Sequence, residues 1–362
     1  MYDAKVKLFV YHEGVRAGVV TAINSLQWAP AWAGAGEIKL VCATTAENVA
    51  LLIPGAVLYN PDTPALAALV IALELDSDNA KMTVRGKFTL YRLHSRVAKG
   101  KTTVTDAAAG LVTVCRNNLR GLPVVIPDTI PFTAPCAETE LAWCTLLDAA
   151  ETLAQAGGYG VRCRFDAVTA SEALELEQGT DRCPGQAGYC GYFSVRMQNL
   201  SGAEYTIDTS EYANVVLCGG EAPTETDTFT RYFCEVGDTA AIGNARHELW
   251  VDASSVRHKY TVVNADGSET EQTYTEEEYQ AAVQRYARAA LRAHLGTRSL
   301  KCIAADTLLV YGRDYDLGDR MPLRVEPFGL RDSARVASVK LVYERGGRTV
   351  QPVFDNMNFE EE

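Results

Sequence analysis

The chain has 362 residues, 47% hydrophobic and 22% charged, a balance that lets a folded chain bury a sizeable core. At roughly 100–200 residues per domain, this length sets an expectation of about two to four domains. The formal net charge of −12 argues against a nucleic-acid binder, which presents a basic face or stripe.

The opening stretch, MYDAKVKLFVYHEG, alternates like a strand and has no apolar signal core. Residues 1–105 read as mostly β: KVKLFVY, GVVTAINSLQWAPAW, EIKLVCATT and KMTVRGKFTLYRL alternate or are β-rich. Within ATTAENVALL a short helix is expected, capped by Thr44 or Thr45 with Glu47 in its first turn. TPALAALVIALEL fits a buried strand or a helix, and periodicity does not decide between them. The longest wholly apolar run, ALAALVIAL (65–73), falls far short of the about 20 residues a membrane span needs. A soluble chain made in the cytoplasm is expected.

From 106 to 160 the pattern turns helical. DAAAGLVTVCRNNL starts with an Asp106 cap. AETELAWCTLLDAAETLAQAGG predicts a helix with apolar residues at Leu141, Trp143, Cys144, Leu147 and Leu153, ended by Gly157 and Gly158. GLPVVIPDTIPF reads as an extended connector, and GYGVRCRFD as a strand. Residues 190–262 are β again, in YFSVRM, EYANVVLCGGE, TRYFCEV, HELWVDA and KYTVVN. KYTVVNADGSETEQTYT predicts a hairpin turning at Asp266-Gly267. The acidic run 266–278 reads as solvated surface. TEEEYQAAVQRYARAALRAHLG (275–296) is a helix with a Thr275 cap, glutamates in its first turn and Gly296 at its end. The region 300–354 is β, with a hairpin turn around Gly346-Gly347, and DNMNFEEE reads as a frayed end. Strand runs interrupted by helical inserts predict an α+β protein with several β-rich domains. The divisions are a β-rich domain over 1–105, an α/β insert over 106–190, a β-rich domain over 191–274, and a helix plus β domain over 275–362.

The ten cysteines form no CxxC. Zinc sites use tighter pairs, so free and mostly buried thiols in a reducing compartment are expected. Pro184 and Gly185 in CPGQAGYC leave room for a Cys183–Cys190 bridge.

Tests for chemistry come out negative. HSRVAKGKTTV holds Gly100-Lys101-Thr102, but Ser95 stands where a phosphate loop needs its first glycine. GAGEIK (34–39) lacks a third glycine and runs into a strand. There is no GxSxG elbow and no HExxH. His247 has Glu248 beside it and Asp252 nearby, but neighbours in a strand point to opposite faces. A Cys–His pair distant in sequence leaves no local signal. The 46 acidic residues offer many carboxylate pairs and nothing to single one out. Catalytic residues, cofactor and metal are all expected to be none.

VYGRDYDLGDRMPLRV (310–325) crowds Asp314, Asp316 and Asp319 around Gly318. A calcium loop of the helix–loop–helix kind counted from Asp314 has Gly318 where the third ligand belongs and Val325 where the closing glutamate belongs. A turn fits better: Gly318 supplies φ > 0, and Asp316 or Asp319 bonds nearby amides. LLVYGRDY is expected to enter as one strand and RMPLRVEPF to leave as another. Asp314, Asp316, Gly318 and Asp319 are therefore expected to act as a structural turn.

YGRDYDLGDRMPL followed by ARVASVKLVYERGGRTVQPVF resembles the C-terminal signature of a long-tailed-phage tail protein family. GEIKLVCATTAENVALLIPGAVLYN, KMTVRGKFTLYRLHSRV and FSVRMQNLSGAEYTIDTSEYANVVLCGGE resemble further blocks of that family in order, and TEEEYQAAVQRYARAAL sits where it places a helix. The resemblance covers nearly the whole chain. TDRCPGQAGYC and the richness in cysteine depart from it. It implies a siphophage-type baseplate hub or tail-tip protein with barrel-like, tube-like domains. It implies a homotrimeric ring closing the distal end of the tail tube. Its neighbours would be the distal tail protein, the tail tube, the tape measure protein and receptor-binding or fibre proteins. The place is the virion tail, or a phage tail-like particle, assembled in the bacterial cytoplasm, with no sequence-specific nucleic acid bound and no membrane span. An acidic wall would let DNA pass without sticking. Some tail-tip proteins carry hydrolytic domains, so the alternative is a tail-associated peptidase or glycosidase acting on cell-wall polymer.

Overall fold

The computed structural model describes residues 5–78, 80–225, 229–263, 269–305 and 308–355. Alternation becomes strand as expected. Lys81–Phe88 buries Met82, Val84 and Phe88 while Lys81 and Arg85 face water. Ile23–Ala31 and Gly34–Ala43 do the same around Leu26, Trp28, Ile38 and Leu40. TPALAALVIALEL resolves as strand Ala67–Asp76.

These strands join a sheet of thirteen. Its main path runs Leu200–Asp208, Thr297–Ala304, Gly347–Asp355, Leu330–Glu344, Ile23–Ala31, Gly34–Ala43, Lys81–Phe88, Ala67–Asp76, Val57–Tyr59, Phe9–His12 and Val15–Val19. Arg320–Val325 attaches antiparallel to Leu330–Glu344 and carries Phe193–Ser194 in parallel. The α+β class holds, but the barrel-like domains do not appear. The path ends on two strands that do not pair, so among the described residues the sheet is open.

One core unites the two ends of the chain. Leu26, Trp28, Leu40 and Val84 pack with Leu300, Leu323, Val336, Leu341 and Phe354. Each such side chain contributes about 1.5–3 kcal/mol by leaving water. The sheet thus draws strands from the 1–105, 191–274 and 275–362 stretches together.

Four α-helices of the described residues pack against the sheets. Thr45 caps the short helix α1 (Ala46–Leu51), and the Asp106 carboxylate accepts the Ala108 and Ala109 N–H groups to start α2 (Ala107–Asn118). Helix α3 (Leu146–Gly157) ends on left-handed Gly158. Leu111 and Cys115 of α2 and Ala150 and Leu153 of α3 share a core with Val161 and Cys163. Helix α4 (Glu276–Ala293), opened by a reciprocal Thr275–Glu278 cap, lays Tyr279, Val283 and Ala287 on Val216 and Cys218. No helix of the described residues is long and apolar enough to cross a membrane.

Several stretches differ from expectation: TLYRL, expected to end a strand, lies in the 3-10 helix Thr89–Ser95, and Leu200–Asp208 is a strand not singled out by the sequence pattern. Residues 137–142 were expected to open a long helix but belong to strand Pro135–Ala142, paired with Lys101–Asp106. Helix α3 begins later because Thr145 and Asp148 form a reciprocal cap, and Trp143, at φ 50°, leaves the helical path. LLVYGRDY forms no strand, and YFSVRM keeps only Phe193–Ser194. Strands Lys259–Val263 and Glu269–Thr273 pair as expected, while the Asp266-Gly267 turn and the DNMNFEEE end after Asp355 lie outside the described residues.

All ten cysteines are free thiols, and Cys42, Cys115, Cys163, Cys218 and Cys302 are buried. Burial pushes the Cys42 thiol up to about 11 and those of Cys115 and Cys302 to about 12. Only the thiolate reacts, so raising the pKa lowers reactivity at any pH below it. At pH 8 a disulfide dye should label Cys183 and Cys190 well before Cys115 or Cys302, and urea should erase the difference. Equal native labelling rates, read by peptide mass mapping, would contradict this packing.

Candidate functional site

The aspartate stretch links strand Thr297–Ala304 to strand Arg320–Val325, which are not neighbours in the sheet. It is therefore a two-turn connection and not the tip of a hairpin. In the first turn the Arg313 and Asp314 N–H groups donate to the Val310 carbonyl at 3.2 and 2.9 Å. Asp314 Oδ2 accepts the Val310 N–H at 2.8 Å. The Arg313 guanidinium, then that amide, hold the Asp314 carboxyl below the usual carboxylate range.

In the second turn the Asp319 N–H donates to the Asp316 carbonyl at 3.2 Å. Gly318 occupies the third position at φ +86°. Its N–H donates to the Val336 carbonyl, and the Val336 N–H donates to Asp319, so the turn is tied to the long strand Leu330–Glu344. A Cβ on Gly318 would fall 2.1 Å from the Trp32 ring, and one on Gly160 would fall 2.4 Å from the same ring. A Cβ on Gly179 would meet the Gly318 carbonyl at 1.8 Å. Two glycines thus let two backbone segments close on one indole, and Gly179 lets a third close on Gly318. Arg335 lies over Trp32 and donates to the Gly318 carbonyl at 2.9 Å.

Asp319 is 4% exposed. Its Oδ1 accepts the Thr180 N–H at 2.8 Å, and its Oδ2 accepts Arg182 Nε and the Asp316 N–H, each at 3.0 Å. Asp316 is exposed, and its Oδ1 accepts the Leu317 N–H. Burial first, then the Asp316 carboxylate, push the Tyr311 phenol far above its ordinary range. Trp32, Phe132, Arg162, Glu177, Arg182 and Asp316 line an open cleft of about 490 Å³ here. Burial raises the Glu177 carboxyl, and the Arg162 guanidinium it holds pulls the other way.

The arrangement is chemically closed. A cation at Asp314 or Asp319 would have to displace a guanidinium and backbone amides already bound there. Among the described residues no three His, Cys, Asp or Glu side chains are placed to hold a metal. Lys101 sits in strand Lys101–Asp106, paired with Glu140. His247 rests against the Tyr212 ring. Sequence reasoning brought together Asp314, Asp316, Gly318 and Asp319 but missed Trp32, Gly160, Thr180, Arg182 and Arg335. The short GYG and EQG stretches were the only local signal of the close approaches.

The sequence matches the family described as Siphovirus ReqiPepy6 Gp37-like protein over residues 117–354, well over half the chain, and the chain belongs to that family. No curated protein matches it. Among solved structures it is similar to a prophage MuSo2 43 kDa tail protein from Shewanella oneidensis. That match has a TM-score of 0.55 and 11% identity, and covers 96% of this chain and 98% of the other. It is also similar to a tail protein from Neisseria meningitidis MC58, with a TM-score of 0.54 and 10% identity over 97% and 96% of the two chains. The chain has the fold of these tail proteins along nearly its whole length.

Proposed function

We propose that this member of the siphovirus Gp37-like family is a structural tail protein that forms the baseplate hub or tail tip and closes the distal tail tube. The observation that carries this is the fold shared end to end with a prophage tail protein and a second tail protein, together with the family match. In this reading the chain works as a homotrimer in the virion tail or a tail-like particle. It contacts the distal tail protein, the tube and the tape measure. Asp314, Asp316, Gly318 and Asp319 serve it structurally, tying strand Arg320–Val325 to the insert through Thr180 and Arg182 and to the 1–105 stretch through Trp32.

Light scattering across a concentration series should give a trimer or a rise toward one. Antibody labelling of intact particles should place the chain at the distal tail end. Label on the capsid, or its absence from tails, would overturn the reading. Lysis of cell-wall polymer by the purified chain would replace it with the hydrolase.

A further inference from the structure

The hairpin made by Arg320–Val325 and Leu330–Glu344 carries a mirrored arginine pattern. Arg320 stands opposite Arg335, Pro322 opposite Ser333, and Arg324 opposite Arg331. Alternate residues of paired strands share a face. Met321, Leu323, Val325 and Ala334 fill the core on the other side. Four arginines therefore share one face, in two directly opposed pairs. Opposed like charges destabilise a sheet.

The two pairs are treated differently. Arg320 Nε donates to the Ser333 hydroxyl at 2.8 Å and lies near the Asp181 carboxylate. Arg335 is bound to the Gly318 carbonyl and covers Trp32. At the far end, among the described residues, no carboxylate forms an ion pair with Arg324, Arg331 or Arg196. By contrast Arg92, Arg162, Arg182, Arg231 and Arg246 all hold one. Arg324 lies 4.2 Å over the Tyr192 ring, which fixes its plane. These three arginines, Tyr192, Ser194 and Glu326 line a cleft of about 420 Å³. Glu326 is already occupied, accepting the Ser194 hydroxyl at 2.7 Å and the Arg196 N–H at 3.4 Å. Glu326 is held in its charged form, first by the Ser194 hydroxyl and in part by the nearby Arg196 charge. Its one carboxylate thus faces three guanidinium groups, and the cleft keeps a net positive charge inside a chain of net charge −12.

We propose that this cleft binds a phosphate group, with Arg324 and Arg331 clamping it from opposite strands and Arg196 completing the shell. A guanidinium offers a planar fork of donors that matches phosphate oxygens in pairs. A carboxylate has two oxygens and is satisfied by one such fork. A phosphate ester has enough oxygens for the two or three forks that meet here. The ligand is a phosphate mono- or diester, free or carried on a lipid headgroup. The inference stands apart from the placement of the chain in a tail.

The test is calorimetric titration of the full chain with inorganic phosphate, then glycerol phosphate, then phosphatidylglycerol vesicles with phosphatidylcholine vesicles as the blank. Saturable binding of the phosphates is expected. Binding to the anionic vesicles as well would assign a headgroup source, and none would assign a free ester. The double variant Arg324→Gln/Arg331→Gln should bind at least about tenfold more weakly, since each lost charge-assisted bond is worth more than a tenfold factor. It should melt at or above the wild-type temperature, because the opposed charges are gone. Arg85→Gln, which breaks only the exposed pair with Glu74, should bind like wild type. Equal binding by wild type and the double variant would overturn the site. Tighter binding of an oligoglutamate peptide or of duplex DNA, lost in the same double variant, would overturn the phosphate-ester assignment in favour of that partner.

Discussion

Gly318→Val should leave little folded chain, with a loss of about 2–6 kcal/mol. Two costs add. A β-branched residue at φ +86° is strained by about 1–3 kcal/mol, and overpacking a filled site costs about 1–3 kcal/mol more. The new side chain would have to displace Trp32, whose ring would lie 2.1 Å from the added Cβ. Trp32 in turn cannot back away, because Gly160 presses on it from another strand. Gly318→Ala carries most of both costs and should lie close to Val. Gly346→Ala is the control, since nothing lies within 4 Å of a Cβ there and its φ is not left-handed. Soluble yield, melting temperature and the indole emission maximum report the outcome. Normal melting of Gly318→Val would end the case for a conformationally demanding turn.

What could be read beforehand was local. Asp106, Thr275 and Gly158 marked helix ends because a cap is a contact between residues two to five apart. Alternation marked the strands of the first hundred residues. The order of motifs along the chain pointed to the tail family, since order survives where single residues drift. The error at 137–142 was also local in origin. Leu141, Cys144 and Leu147 keep helical spacing, while the Thr145–Asp148 cap that starts α3 between them is equally visible but weaker to the eye. Strand LSGAEYTID (200–208) went unread because Ser201 to Glu204 carries an irregularity that breaks the alternation.

Pairing across long separations left no such trace. Strand Ile23–Ala31 joins Leu330–Glu344 at Leu26–Tyr343 and Trp28–Leu341, near opposite ends of the chain. No periodicity says which two alternating strands will meet, because each offers the same apolar face to any partner. For the same reason the divisions read from composition followed chain order. The candidate site shows the limit most clearly. The aspartates could be seen to favour a turn, but the groups that fix them come from strands and loops far away. The reason Gly318 must be glycine sits at residue 32.

Asp319→Ala should be the most damaging change among the aspartates, at about 3 kcal/mol. Removing one partner of a buried pair costs about 3–5 kcal/mol because the other is left uncompensated. Here the orphans would be Arg182 Nε and the Thr180 and Asp316 N–H groups. Arg182 is 24% exposed, so water recovers part of its loss, which places the expectation at the low end. Asp314→Ala should cost far less, because Arg313 is largely solvated and only one backbone amide loses its acceptor. Asp319→Asn should fall between them, since an amide keeps one acceptor but turns a donor toward Arg182. A cycle with Arg182→Met separates the pair from the amides: the double variant should be more stable than the two single losses predict when added. Thermal melts and the rate of protease cleavage at 178–183 give two readouts, because that segment is held to the sheet through Thr180 and Arg182. If Asp319→Ala melts like wild type and resists cleavage, the carboxylate is not what holds the insert to strand Arg320–Val325.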